Sequence, residues 1–123
     1  MTLSDAMEMY VKTIHRLELK HGSASVSAIA EAMDVKAPSV TVALRKLAEL
    51  DMVDYERYKT VNLTETGRRI ALELEKTYRV LKEFFMLLGI DEEIAEQDAC
   101  KIEHMINPQT FERILVFVES SKK

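Results

Sequence analysis

Hydrophobic residues in the first part of the chain follow the period of a helix. Over residues 4–20 they lie three or four positions apart and form a single stripe, which ends before Gly22. The stripe consists of Met7, Tyr10, Val11, Ile14 and Leu17. A short helix capped by Ser27 is predicted over 27–32, and a longer one over 38–50, which begins at a proline suited to a first helical turn.

The pattern changes to alternation after the third helix. Apolar residues at every second position flank a polar turn, which predicts a small β-hairpin. These residues are Val53, Tyr55, Val61 and Leu63. Helical spacing then returns over 66–88, 91–106 and 108–118, with breaks at Gly89 and Pro108.

The order of these elements predicts a mainly α fold. A helix, a short helix, a tight turn, a second longer helix and a hairpin are typical of a winged helix-turn-helix, whose last helix enters the DNA major groove. We expect this DNA-binding domain over residues 1–73. An all-helical domain should follow over 74–123, with the long helix 66–88 linking the two.

Length and composition agree with this organisation. A chain of 123 residues with 47% hydrophobic content forms one ordinary domain, or a small domain plus an assembly element. No apolar run approaches the roughly 18 residues that span a bilayer, and the first residues lack the features of a secretory signal. We therefore expect a cytoplasmic protein with no membrane partner.

Charge is distributed unevenly in this acidic protein. The net charge of −4 argues mildly against nucleic acid, yet residues 36–46 contain three cations and no acid. On this predicted helix Val40, Leu44 and Leu47 face inward with Ala43 and Ala48. The candidate DNA contacts are Lys36, Pro38, Ser39, Thr41, Val42, Arg45 and Lys46, with Arg57 and Lys59 at the hairpin tip. A merely solvated amphipathic face is the alternative, which the neighbouring helix and hairpin make less favourable.

The single cysteine belongs to a second group of interest. Cys100, Glu103 and His104 lie at helical positions i, i+3 and i+4, away from the predicted apolar stripe. That stripe comprises Ile94, Ala95, Ala99, Ile102, Met105 and Ile106. A sulfur, an oxygen and a nitrogen donor together suit a first-row transition metal better than Mg²⁺ or Ca²⁺. The spacing alone is also compatible with a chance cluster.

Met9 departs from the apolar stripe of the first helix. It falls instead near Asp5, Lys12 and Arg16. A thioether at such a position either fills a gap against another helix or serves as a soft metal ligand. The pattern leaves both interpretations open.

Four segments together resemble the diphtheria toxin repressor family of metal-dependent transcriptional repressors. They are SDAMEMYVKTIHRLE, VSAIAEAMDVKAPSVTVALRKLAELDMV, LTETGRRIA and LLGIDEEIAEQDACKIEHMI. The resemblance extends through about Val118 and is to the short two-domain members, which include the manganese transport regulators. It implies a winged-helix domain, a helical metal-binding and dimerisation domain, and double-stranded operator DNA as partner.

The resemblance also implies a metal site. The family's primary ligands fall on Met9, Cys100, Glu103 and His104, and the methionine and cysteine match its iron-responsive pattern. A manganese-type member is expected to have Asp in place of Met9 and Glu in place of Cys100. Fe(II) is therefore the expected ion, Mn(II) is the nearest alternative, and other divalent transition metals are expected to substitute in vitro.

Several positions depart from the family pattern. The ancillary metal site falls on Tyr78, Lys82 and Glu96, so it is damaged or absent, and Glu96 is at most a weaker additional ligand. Lys12 replaces an acid that manganese-type members use in a two-metal site. Val42 replaces the Gln of familiar iron repressors, so the operator sequence is expected to differ.

The implied mechanism is an allosteric switch in a homodimer, in which bound metal fixes the separation of two recognition helices. The expected dimer surface is apolar and lies on the C-terminal helices: Phe84, Phe85, Leu87, Leu88, Ile94, Ile102 and Phe111. A winged-helix regulator with a non-metal effector remains an alternative. An enzyme with Cys100 as nucleophile and His104 as base lacks an evident oxyanion element, so no enzymatic activity is expected.

Overall fold

The chain forms six helices and one two-stranded antiparallel sheet within residues 3–55 and 60–122, which the computed structural model describes. The elements are α1 (Asp5–His21), α2 (Val26–Met33), α3 (Ala37–Glu49), β1 (Val53–Tyr55), β2 (Val61–Leu63), α4 (Glu65–Leu87), α5 (Glu92–Ile102) and α6 (Pro108–Ser121). They form two compact units, one up to Leu72 and one from Glu73, and the division falls inside α4. The predicted mainly α fold is confirmed.

The ends of α1 are determined by local chemistry. The Ser4 hydroxyl accepts a hydrogen bond from the Met7 amide at 3.2 Å, which satisfies a donor of the first turn. Gly22 follows the last turn with φ 84°, and its amide donates to the Glu18 carbonyl at 2.7 Å. A residue with a β-carbon rarely adopts that conformation, so glycine suits the end of this helix.

The second helix begins two residues earlier than expected. Ser25, and not Ser27, is its cap, because Ser25 has extended backbone angles and its hydroxyl accepts from the Ala28 amide at 3.1 Å. Asp34 then takes a left-handed conformation with φ 56° and ends the helix. Helix α3 starts after Lys36, with Pro38 in its first turn as predicted.

The hydrophobic core of the first unit contains most of the residues that were predicted to face inward. Val40, Leu44 and Leu47 of α3 are fully buried, which confirms the inner face of this helix. Ala48 is exposed, so its assignment to that face was wrong; a methyl group this small does not require burial. The other buried members of the core are Leu3, Tyr10, Val11, Ile14, Ala24, Ile29, Ala30, Met52, Val53, Val61, Leu63 and Ala71.

The hairpin has the predicted strands. Val53 pairs with Leu63 and Tyr55 with Val61 in antiparallel register. Ala24 adds a bridge to the outer edge of β2, since its amide and carbonyl both bond to Val61, at 3.3 Å and 2.8 Å. The tip, residues 56–59, lies outside the described residues. The predicted DNA contacts of Arg57 and Lys59 therefore stay predictions.

Helix α4 starts at a close approach between two backbone segments. The Thr64 hydroxyl donates to the Asp51 carbonyl at 2.6 Å and accepts from the Gly67 amide at 3.1 Å. A β-carbon on Gly67 would overlap the carbonyl oxygen of Met52. Glycine is therefore required at this contact for steric reasons.

The second unit differs from prediction at the end of α5. The helix ends at Ile102 rather than at residue 106, because the Met105 amide bonds the Ile102 carbonyl at 3.0 Å and closes a tighter turn. Asn107 then caps α6, which continues to Ser121, three residues beyond its predicted end at residue 118. None of the described helices has both the length and the apolar character needed to cross a membrane.

Burial in the second unit is only partly as predicted. Ala95 and Ala99 of α5 are buried, whereas Ile94 and Met105 are 49% and 71% exposed. The apolar stripe assigned to this helix was therefore wrong at two positions. The remaining buried apolar residues of this unit are Leu74, Val80, Leu81 and Val118.

We predict that Gly67→Ala lowers the free energy of unfolding by about 1 to 3 kcal/mol, the usual range for added atoms in a close-packed site. Urea denaturation followed by circular dichroism measures the change. The matched control is Glu65→Ala, an exposed change in the same turn, which should stay within about 0.5 kcal/mol. Equal stability of the two variants would contradict the close approach.

Candidate metal centre and nucleic-acid interface

A buried carboxylate lies at the end of α5. Ala95, Ala99 and Glu103 are spaced four residues apart, so they project from one side of the helix. All three are buried, with Glu103 only 6% exposed. The prediction that Glu103 lies away from the buried side was wrong, because the buried side of α5 is lined by alanines rather than by the large apolar residues.

An imidazole meets this carboxylate. The His104 Nε2 atom lies 3.3 Å from the Glu103 Oε1 atom, and the His104 side chain is 5% exposed. Two ligand atoms that are each about 2.1 Å from one metal ion are separated by about 3.0 to 3.4 Å in octahedral or tetrahedral geometry. The distance between these two donors therefore fits adjacent positions around one ion.

The thiol lies one turn earlier. Cys100 is a half-buried free cysteine on α5. No three side chains of His, Cys, Asp or Glu in residues 3–55 and 60–122 form a group that could hold a metal. The structure thus brings together Glu103 and His104, and a complete centre needs further donors. Cys100 and Met9 stay the predicted candidates.

The chemistry of the donor set fits a transition metal. A carboxylate oxygen and an imidazole nitrogen bind Mn(II), Fe(II) and Zn(II) alike, whereas a thiolate adds a soft ligand that Mg²⁺ and Ca²⁺ do not favour. Glu103 and His104 would supply the oxygen and nitrogen ligands of such an ion, and Cys100 stays the predicted source of the thiolate. Bound there, it would supply a charged cross-link between side chains rather than reactive chemistry.

The environment of Met9 is more buried than its sequence pattern indicated. Met9 is half-buried and lines an open groove of about 320 Å³ in the first unit, together with Met33. Lys12, which the helical wheel placed on a polar side, is 0% exposed. Helix periodicity failed here because residues from Tyr10 to His15 are buried without a break.

The three positions of the expected ancillary site form a hydrogen-bonded and charged cluster. The Tyr78 hydroxyl donates to Glu96 Oε2 at 3.4 Å. The Lys82 ammonium lies 3.9 Å from Glu96 Oε1 and 3.9 Å from Glu92 Oε2. A cationic side chain therefore already lies beside the carboxylates at this position, which opposes binding of a metal ion by electrostatic repulsion.

The predicted DNA-binding face of α3 is open to solvent. The exposed residues are Lys36, Pro38, Ser39, Val42, Arg45 and Lys46, and Thr41 is half-buried. Three cations without an acidic neighbour over 36–46 create a local positive region on this helix. The arrangement suits contacts to phosphates and to base edges.

Two family profiles match the chain. The iron dependent repressor, N-terminal DNA binding domain, covers residues 2–61. The iron dependent repressor, metal binding and dimerisation domain, covers residues 64–123. The chain belongs to the iron-dependent repressor family.

Individual relatives agree with this assignment. The chain is 38% identical over 109 residues to the HTH-type transcriptional regulator MntR of Oceanobacillus iheyensis, which covers 89% of this chain and 74% of the relative. It is 32% identical over 123 residues to an uncharacterized HTH-type transcriptional regulator of Methanocaldococcus jannaschii, 98% of each chain.

A solved relative shows the same fold. The structure of the manganese regulator SloR matches with a TM-score of 0.79 and 29% identity over 92% of this chain. That alignment covers 53% of the SloR chain, so this chain spans about half the length of its solved relative. The iron-dependent repressor family consists of transcriptional regulators, which confirms that the chain is not an enzyme.

We predict that Cys100→Ser removes the sulfur-to-metal charge-transfer absorption of the Co(II)-loaded protein and weakens Co(II) binding about 100-fold or more. Mutation of a residue that only hydrogen-bonds to a metal ligand typically lowers metal affinity 10- to 100-fold, and loss of a ligand itself should lower the affinity further. Absorption spectroscopy during Co(II) titration measures both. Glu93→Gln, an exposed change in the first turn of α5, is the control and should keep the band. A wild-type complex without the band would contradict thiolate ligation.

We predict that Arg45→Ala and Lys46→Ala each reduce the slope of log affinity against log salt by about 1, because each removes about one phosphate contact. Fluorescence anisotropy of a labelled duplex at several salt concentrations gives the slope. The control is Lys20→Ala, an exposed cation at the end of α1. Identical slopes for all three variants would exclude this face of α3 from the DNA interface.

Proposed function

We propose that the chain is an Fe(II)-responsive transcriptional repressor that binds operator DNA as a homodimer when metal is bound. The observation that carries the proposal is the buried contact of Glu103 with His104 at 3.3 Å, one turn after the half-buried Cys100. Because operator DNA is chromosomal, the proposal places the protein in the cytoplasm.

The proposed ligands are Met9, Cys100, Glu103 and His104. The last three are supported by their spacing in the second unit, and Met9 by the family resemblance of its segment. Glu96 is a weaker candidate, because its carboxylate already contacts Tyr78 and Lys82. One metal ion per subunit follows from this set.

The sulfur ligands support iron. A thioether and a thiolate are soft donors, whereas Mn(II) favours carboxylate, carbonyl and water oxygens. The description of the matching family also names iron. These two points favour Fe(II) as the physiological ion.

A manganese-responsive repressor is the second candidate. The observation that favours it is the likeness to SloR, which is described as a manganese regulator, at 29% identity. Metal selection in cells depends on availability as well as on ligand type, so the two ions must be compared directly.

The proposed dimer uses an apolar surface of the second unit. Phe84 and Phe117 meet edge to face with ring centroids 5.7 Å apart, beside an open groove of about 660 Å³. The groove is lined by Phe84, Leu88, Gln109, Thr110, Arg113, Ile114 and Phe117. An exposed apolar surface of this kind marks an interaction site, and we propose that a second copy of this dimerisation domain binds there.

The sequence prediction of this surface is compatible with the observed exposure. Leu87, Leu88 and Ile94 are 49%, 59% and 49% exposed. Phe84, Phe85, Ile102 and Phe111 are half-buried. Exposed residues that the sequence prediction omitted are Met86, Val116 and Phe117.

In the proposed switch, Met9 of α1 and the ligands of α5 hold the same ion, which limits motion between the DNA-binding and dimerisation units. A dimer places two α3 helices in successive major grooves only if their separation matches about one DNA turn, roughly 34 Å. Metal raises operator affinity to the extent that it prefers this arrangement, typically by 1 to 3 kcal/mol, or about 5- to 150-fold.

We predict that anaerobic titration of the metal-free protein with Fe(II) tightens binding to selected duplex DNA about 5- to 150-fold at one ion per subunit. Affinity is measured at fixed salt, because nonspecific binding depends strongly on salt concentration. Cys100→Ala should abolish this response without unfolding the chain, and Glu93→Gln, an exposed change on the same helix, should retain it.

The titration separates the candidates. A larger response to Mn(II) than to Fe(II) would replace the iron proposal by the manganese one. DNA binding that ignores both metals would point to a winged-helix regulator with another effector. An unchanged metal response in Cys100→Ala would remove the cysteine from the ligand set.

A further inference from the structure

An exposed valine occupies the middle of the proposed DNA-binding face. Val42 is 52% exposed on α3. Pro38 and Ser39 lie four and three residues before it, and Arg45 and Lys46 lie three and four residues after it, so all four are its neighbours on the helix surface. A large apolar side chain is thus surrounded by small and cationic ones.

Few side-chain hydrogen-bond donors are available in the first turns of α3, over residues 37–42. The Thr41 hydroxyl donates to the Ala37 carbonyl at 3.2 Å, so its proton is used within the helix. Over residues 37–42, Ser39 is the other residue whose side chain carries a donor. The first turns of a recognition helix make the base contacts in helix-turn-helix proteins, so base reading here must rely largely on apolar contact.

Among the base edges of the major groove, the C5-methyl group of thymine is the apolar feature. We propose that Val42 contacts a thymine methyl group in each operator half-site and selects that base pair. This inference rests on the proposed function, since it requires α3 to enter the major groove. Beyond that function, it specifies which chemical feature of the operator α3 recognises, namely a thymine methyl group.

The surrounding charges favour DNA over a protein as the partner of this apolar site. Lys36, Arg45 and Lys46 are exposed, and no acid occurs over residues 36–46. The cations meet phosphates while the valine reaches a base, which is the usual division between positioning and specifying contacts.

The test begins with a duplex selected from a random library by the full-length, metal-loaded protein. Each thymine is then replaced in turn by deoxyuridine, which removes only the methyl group. At one position per half-site, the replacement should lower the affinity of the protein for the duplex about fourfold. Replacement in both half-sites should lower it about 15-fold, because each methyl group contributes about as much as one buried carbon group.

Variants assign the contact to Val42. In Val42→Ala, the thymine and deoxyuridine duplexes should bind equally at the sensitive position. Leu19→Ala, which changes an apolar side chain on α1 that is 75% exposed, is the control and should retain the difference. Thermal unfolding verifies that both variants are folded.

Each outcome has a defined meaning. If no thymine is sensitive, or if sensitivity persists in Val42→Ala, the inference is overturned while the repressor function stands. If the metal-loaded protein selects no duplex from the library, the proposed function fails and the inference fails with it.

Discussion

The close approach at the start of α4 is the steric constraint on which the packing of this helix against the segment before the hairpin depends. Thr64 bonds to the Asp51 carbonyl and to the Gly67 amide, and Gly67 leaves room for the Met52 backbone. These contacts anchor the first turn of α4 to the segment that precedes the hairpin.

In the candidate metal centre, small residues on the buried side of α5 accompany a buried carboxylate. Alanines at positions 95 and 99 leave the buried side of α5 without large side chains, and Glu103 extends that side by one turn. A carboxylate buried in this way is unfavourable unless charges or hydrogen bonds compensate it, and the His104 imidazole lies beside it. The nearby Tyr78, Lys82 and Glu96 cluster instead uses an ammonium group to neutralise its carboxylate.

The DNA-binding face combines two kinds of interaction. In the proposed complex, exposed cations of α3 provide attraction that is independent of sequence, and Val42 provides an apolar contact whose value depends on a methyl group. In that proposed complex, attraction of phosphates accounts for binding of an acidic protein to an acidic polymer, because the field near α3 is set by local charges rather than by the net charge of −4.

The sequence by itself determined the helices, the hairpin and the outward face of α3, because caps, glycines and apolar periodicity act over a few residues. It also indicated the family through its motifs. Tertiary structure alone decided the burial of Lys12 and Glu103 and the exposure of Ile94. The periodicity of apolar residues indicates which side of a helix is the more apolar. Whether a polar side chain is buried depends instead on neighbours that are distant in the chain.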